Sequence, residues 1–405
     1  MAALLATVAT AWAQDTSLTV DAQLRARGEH DNGVINPQKE GEQSANYVSE
    51  RARLSFDFKR NNLELKASVQ HTGLWGQDPM NQSNGRATMS EAWAKLTFAD
   101  VFFAQVGRQQ LCYDDERILG ANDWSLDGNW HDALKVGYED GHHRLHAILA
   151  MNQTAEHNKG DYYDGPMPYK NLMALWYHYQ AEMVPLGISL IGLNIGQERG
   201  TSGHGRTNYL QTFGTDVSFR PLSWYIHGSF YYQMGKTTVR KVQSWMASGD
   251  AGVSICPQLQ LRAGYDYMPA NDYDKDSWNA FIPLFGSQHN FLGAMDYFTS
   301  SLSCGLQDIH GGVSSQICDG LKADVDYHYL MTVQKLPDLD KQVGHEIDVK
   351  VTARLMKDVT LSAGYSTMLG TATLDRLKGG SHKAWQDWGW LQLNVNPRVL
   401  TTLLR

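Results

Sequence analysis

Apolar and polar residues alternate along most of this chain. From Thr19 to Arg27, Val20, Ala22, Leu24 and Ala26 fall on one face, and Asp21, Gln23, Arg25 and Arg27 on the other. A strand, with a side-chain period of two, separates the two sets cleanly, whereas a helix would scatter them. Arg51–Phe58 repeats the pattern, and after the turn Lys59-Arg60-Asn61-Asn62 it returns in Leu63–Gln70. Comparable runs lie near 88–99, 101–109, 131–139, 142–151, 170–180, 186–197, 208–220, 222–233, 242–255 and 258–268. The last lie near 304–313, 320–330, 343–355, 358–368 and 386–396. The pattern predicts about 18 strands of roughly 9–13 residues, the length with which a tilted strand crosses a bilayer.

Connections between these runs are short and long in turn. Lys59–Asn62, Ala99–Asp100, Asp140–Gly141 and Met356–Lys357 are tight, while 28–47, 72–87, 110–130, 152–169, 269–303 and 369–385 are long. This rhythm predicts an all-β fold: a transmembrane antiparallel up-and-down β-barrel, with short periplasmic turns on one rim and long extracellular loops on the other. The polar face is rich in charge, including Arg25, Arg53, Lys66, Lys95, Arg262, Lys322, Asp324, Asp326, Asp348, Lys350 and Arg354. The opposite face carries Leu, Val, Ala and Phe, with Trp224, Tyr265, Tyr267, Tyr327 and Tyr329 near strand ends, where interfacial aromatics belong. A barrel of this size has a lumen too wide for side chains to fill, so a charged inner face implies a wet channel. A soluble β-sandwich or β-helix would predict neither the loop rhythm nor a secretion signal.

Composition narrows the class. The 405 residues carry a formal net charge of -8 without any basic block, which argues against nucleic acid as a partner. Beyond the N-terminus no apolar run reaches the length of a membrane helix. Residues 1–13 end in Ala11-Trp12-Ala13 and read as a secretory signal without its basic start, leaving 14–405 as the barrel. The four cysteines show no metal spacing; Cys304 and Cys318 could pair in an oxidising compartment, a matter that spacing leaves open.

Two segments break the alternation. Gly107-Arg108-Gln109-Gln110-Leu111, then Tyr113-Asp114-Asp115-Glu116-Arg117-Ile118-Leu119-Gly120, Trp124 and His131-Asp132-Ala133, form a stretch too polar for a core and too aromatic for a plain linker. The second runs from Asn279 through His289, Phe291 and Gly293-Ala294-Met295-Asp296-Tyr297-Phe298 to Gly305-Leu306-Gln307-Asp308. Together these blocks resemble the alginate export family of outer-membrane proteins, the likeness extending over roughly residues 15–396. The resemblance implies an 18-stranded outer-membrane barrel with an arginine-rich constriction that passes an anionic polysaccharide, alginate in the best-known member. The chain departs from expectation at its end: the last alternating strand, Trp388–Val395, is followed by Asn396–Arg405, read as a short periplasmic tail or a displaced terminus.

A polyuronate carries a carboxylate on each sugar, and a pore that passes it needs cations which hold it weakly. Arginine suits this, being permanently charged and fork-shaped. The anion-contact candidates are Arg25, Arg53, Arg262 and Arg354 on strands, and Arg108 and Arg117 if the 107–132 segment folds inward. Arg27, Arg51, Lys66, Lys95, Lys322 and Lys350 share the inward parity, and Asp114 and Asp115 are the expected counter-charges. Inward acids are also numerous (Asp21, Asp57, Glu64, Glu91, Asp216, Asp266, Asp324, Asp326, Glu346, Asp348), so a balanced ladder of salt bridges is the alternative. Asp114, Asp115 and Asp308 do not form a calcium loop, and His142, His143, His289, His310 and His345 show no paired metal spacing. With no nucleophile elbow, phosphate loop or dinucleotide fingerprint, neither an enzyme nor a cofactor or metal is expected. The sequence reading is a passive channel for an anionic polysaccharide or small anionic solute, set in outer-membrane lipid, with periplasmic export or uptake partners left open. A hydrolase on a barrel scaffold and a structural or adhesive barrel with a plugged lumen are the rival readings.

Overall fold

The computed structural model describes residues 16–80, 86–156 and 160–404; the proposed signal peptide lies outside them. The strands are β1 (Thr16–Asn32), β2 (Ala45–Arg60), β3 (Leu63–Leu74), β4 (Ala87–Phe98), β5 (Phe102–Gln109), β6 (His131–Glu139), β7 (His143–Met151), β8 (Asn171–Gln180), β9 (Leu186–Arg199) and β10 (Arg206–Phe219). They continue as β11 (Trp224–Lys236), β12 (Lys241–Cys256), β13 (Leu259–Met268), β14 (Leu306–Cys318), β15 (Leu321–Met331), β16 (Gln342–Met356), β17 (Val359–Gly370), β18 (Asp387–Val395) and β19 (Arg398–Leu404). Each pairs antiparallel with its sequence neighbour as far as β18, and β1 pairs with β2 on one edge and with β18 and β19 on the other. The sheet therefore closes, and no edge is left to pair elsewhere.

The segment after β18 is not a tail. β18 pairs with Leu24–Asn32 of β1, and β19 pairs with Thr16–Asp21 of the same strand. The two segments are one wall position interrupted at Asn396-Pro397, where proline has no N–H to give to the ladder. Nineteen segments thus make 18 positions around the barrel.

Short turns have the backbone that tight hairpins need. Asn61 adopts φ 52° between β2 and β3, and Ala99 and Asp100 adopt φ 48° and 60° between β4 and β5. Outward side chains are exposed apolar groups such as Leu24, Phe56, Val106, Leu190, Ile226, Val313 and Leu391, as lipid contact requires. Trp224, Tyr265 and Tyr327 also face outward.

The inner wall is not polar throughout. Ile148, Leu172, Trp176, Ile191, Leu193 and Ile195 point inward from β7, β8 and β9 and are buried beneath Leu111, Tyr113, Ile118 and Leu119 of the 110–130 loop. A second buried cluster sets Leu292, Met295, Tyr297 and Phe298 of the 269–305 loop against Leu306, Leu330, Val343, Met368, Trp388 and Trp390 of β14–β18. Both long loops fold into the barrel because part of its wall offers them an apolar seat. The four cysteines are free. Cys304 and Cys318 lie at opposite ends of β14, roughly 40 Å apart at strand rise, so the pairing considered from sequence cannot form, since bridged Cα atoms lie within about 7 Å.

Candidate functional site

The 110–130 loop crosses the lumen and is anchored on both sides. On one side Arg25 donates to the carboxylate of Asp123 at 2.6 Å and Arg51 donates to its other oxygen at 2.7 Å. Arg27 donates to the Trp124 carbonyl and stacks 4.0 Å above the Trp124 ring. Gln70 and Thr72 of β3 hold Asp127 through its carbonyl and carboxylate. On the other side Arg117 bonds Asp266 of β13 at 2.7 Å, Ser248 of β12 at 2.9 Å and Asp115 at 3.1 Å, and lies on the face of Phe291. Asp115 accepts from Ser229 and Tyr231 of β11, Asp114 from the Trp176 indole of β8, and Tyr113 meets His146 of β7.

The two inward loops also hold each other. Leu119 and Phe285 form a parallel bridge, Gly120 N–H donates to the Phe285 carbonyl, and Ser287 donates through its backbone to Glu116 and through its hydroxyl to the Glu116 carboxylate. Gly286 packs so closely that a Cβ there would lie 2.3 Å from the Arg117 carbonyl oxygen. Asp114 and Glu116 adopt φ 55° and 63°, an uncommon backbone for residues with a Cβ. It turns Asp114, Asp115 and Arg117 toward different partners. Below the loops a cavity of about 490 Å³ is lined by Arg117, Trp124, Arg262, His289, Phe291, His310, Asp326, His328, Asp348 and Lys350, among others.

Electrostatics differ from one anchor to the other. Burial pushes the Asp123 carboxyl up, but Arg25 and Arg51 outweigh it and hold the group below its ordinary value. Burial likewise works against the Arg117 charge, and Asp266 and Asp115 reverse the effect. Asp114 has no cation at hand; burial raises it to about 6, against hydrogen bonds from Ser189 and Trp176 that favour the ionised form.

The anion-contact candidates occupy distinct places. Arg117 and Arg262 line the cavity, Arg262 forked onto Asp326. Arg25 is buried and committed to Asp123, while Arg53 donates twice to the neutral Gln70. Arg354 is exposed at the short-turn rim beside Asp319, away from the loops. Arg108 is not in the lumen: on β5, Phe103, Gln105 and Gln109 face inward, and Arg108 alternates with them onto the outer face, where it bonds Asp132 in both prongs. Its counter-charge is Asp132 rather than Asp114 or Asp115, and of those two only Asp115 pairs with an arginine, Arg117. The residues missed from sequence are Asp123, Asp127 and Trp176; Asp266, read as an inward acid, proves to be the partner of Arg117. One signal was available for the loop as a whole: Leu145–Ala150, Leu172–Trp176 and Leu186–Ile195 are apolar on both faces, which marks strands covered on both sides.

Several solved structures share this fold. Acinetobacter baumannii OccAB1 aligns with a TM-score of 0.68 at 11% identity, covering 95% of this chain and 97% of that one. Pseudomonas aeruginosa OccK11 (OpdR) aligns at 0.63 and 10% identity, covering 95% and 96%. The outer membrane protein opdK of Pseudomonas aeruginosa aligns at 0.65 and 9% identity, covering 96% and 99%. At such identities the likeness is one of fold. No protein of curated function matches. The alginate export family model matches residues 16–335, most of the chain. With a closed 18-position barrel whose long loops fold inward, the protein is a bacterial outer-membrane channel and belongs to the alginate export family.

Proposed function

We propose that this channel passes anionic, carboxylate-bearing solutes by passive diffusion, alginate or a related acidic poly- or oligosaccharide being the class that fits best. The observation that carries the reading is a surplus of guanidinium at the loop anchor: Arg25, Arg51 and Arg53 surround the single carboxylate of Asp123. Arg25 and Arg51 share that carboxylate, and Arg53 bonds only a neutral amide among its described hydrogen bonds. Three guanidiniums are thus set against Asp123 and, farther off, Glu91, which itself pairs with Lys66, and the low dielectric of the site strengthens the resulting positive field. A passing carboxylate meets a fork-shaped donor at Arg53 and a held positive field behind it, without the full desolvation that would trap it. Trp124, stacked on His289 at 4.4 Å between ring centres and lining the cavity, supplies an aromatic wall suited to a sugar ring. Farther round the barrel, β13–β16 carry acids and cations together, with Asp326 forked by Arg262 and Asp324 paired with Lys322, so the unbalanced positive charge lies at the β1–β2 anchor.

The test is the reversal potential of the purified channel in a planar bilayer under a KCl gradient, followed by titration with oligouronates. Anion preference, current block by oligouronate, and loss of both in Arg53→Glu are the expected results. A cation-selective wild type, or an Arg53→Glu variant of unchanged selectivity and block, would overturn the reading.

A further inference from the structure

On β14 and β15, three side chains form a group that the channel reading does not use. Asp308 and His310 are two residues apart on β14 and share its inward face, and His310 lies directly across the ladder from His328 of β15. Asp308 Oδ2 is 2.7 Å from His328 Nδ1 and 3.4 Å from His310 Nδ1. All three donor atoms lie within 4.8 Å of one another. Two donors each about 2.0–2.2 Å from a tetrahedral metal are roughly 3.4 Å apart. The His310–Asp308 distance, 3.4 Å, already has that value, and the His328–Asp308 contact, 2.7 Å, needs to open by about 0.7 Å.

The polar atoms of this group are not otherwise satisfied. Asp308 is fully buried, and its Oδ1 has no hydrogen-bond partner among the described residues; the same is true of the buried His310 Nδ1. A buried carboxylate oxygen left unpaired costs free energy unless a cation or a donor meets it. The surroundings also fit. The far ring nitrogen of His328, Nε2, lies 3.7 Å from Asp348 Oδ2, the arrangement in which an outer carboxylate orients a ligating imidazole. Gly264, across from His310 on β13, makes room for the ring: a Cβ there would lie 2.2 Å from His310 Nε2.

We infer that Asp308, His310 and His328 form a divalent metal site in the wall of the channel, taking a borderline cation of the Zn²⁺, Co²⁺ or Ni²⁺ type through one carboxylate and two imidazoles. Two nitrogens and one oxygen suit such ions better than Ca²⁺ or Mg²⁺, which take oxygen ligands. Three protein ligands leave a fourth position open. His310 and His328 line the cavity, so that position is reached from the lumen. A bound divalent cation would offset the charge of Asp308 and of the neighbouring Asp348. The site does not depend on which solute the channel carries.

The experiment is calorimetric titration of Zn²⁺ into the chelator-stripped, folded barrel in detergent, with folding of every variant checked by the heat-dependent gel shift of barrel proteins. The expected result is one Zn²⁺ per chain, weakened at least tenfold in both His310→Gln and His328→Gln and unchanged in His227→Gln. His310→Gln is the decisive variant, because His310 Nδ1 meets Asp308 only loosely, at 3.4 Å and without hydrogen-bond geometry, so its loss disturbs the wall least. Absence of Zn²⁺ binding to the folded wild type would overturn the inference. So would binding that persists in folded His310→Gln, or that is lost instead in His227→Gln, which belongs to a separate acid–histidine group with Asp115 and Asp216.

Discussion

Replacing Asp123 with alanine should release the 110–130 loop from the β1–β2 wall. Asp123 is the one carboxylate to which both Arg25 and Arg51 bond, at 2.6 and 2.7 Å. Their side chains are only 8% and 0% exposed, so the variant leaves two buried guanidiniums without their bonded acid. Breaking a buried pair by removing one partner costs about 3–5 kcal/mol. Because Asp123 itself is 53% exposed, the lower end, about 3 kcal/mol, is the appropriate figure. If the loop is free to swing away so that water reaches the arginines, that energy appears as a shift of about a hundredfold toward the undocked state. Asp127 still holds Gln70 and Thr72, and Arg117 still holds the far end. The barrel wall should therefore remain folded while its lumen widens. Single-channel recordings should show a larger or noisier conductance in Asp123→Ala, and limited proteolysis should cut the loop faster. Since the Asp123 pKa is depressed, its contribution is complete at neutral pH and is lost only as pH falls below the ordinary aspartate range. A variant with wild-type conductance and wild-type protease resistance at pH 7 would refute the clamp.

Asp114 should make loop docking tighten on acidification. Its folded value, about 6, lies above that of an unfolded aspartate, so the ionised form weakens docking above pH 6 and the penalty disappears as pH falls toward 4. Conductance should fall between pH 7 and 5 in the wild type and be flat over that range in Asp114→Asn, which keeps an acceptor for Trp176; recordings across that range check both. Gly286→Ala should separate the two loops, because the new methyl meets the Glu116 and Arg117 carbonyl oxygens at 2.4 and 2.3 Å; a cost of about 1–3 kcal/mol should appear as faster hydrogen exchange at Gly120 and Phe285. Arg108→Ala should leave ion selectivity and oligouronate block unchanged, since the side chain and Asp132 lie on the outer face; a shifted reversal potential would contradict that placement.

The loop and its charges show where sequence reasoning has reach. Arg25, Arg53 and Arg262 could be assigned to the inner face because parity along a strand is a local property, fixed by the backbone geometry of neighbouring residues. Arg108 follows the same rule: counted from Phe103 and Gln105 it falls outward, and only its proximity to the charged loop suggested otherwise. Its place at the strand end made it look like part of the loop, whereas it still pairs across β5–β6 with Asp132. The apolar inner face of β8 and β9 was also written in the sequence, but its meaning required knowing that a loop seats there. Asp123 carried no local mark to set it apart from Asp114 or Asp115. Its importance comes from arginines 98 and 72 positions away.

By itself the sequence determined the strand count, the inward or outward sense of each side chain, and the short and long connections, because these depend on residues adjacent in the chain. Closure through β1 and the single wall position shared by β18 and β19 rest on pairings between the two ends of the chain. Only the tertiary structure decided which carboxylate each arginine meets, and that His310 stands across from His328. It also decided that the 110–130 and 269–305 loops meet inside the lumen. Those outcomes depend on register across strands and on the apolar seats that β7–β9 and β14–β18 offer once the sheet has closed, and no alternation along a single strand encodes them.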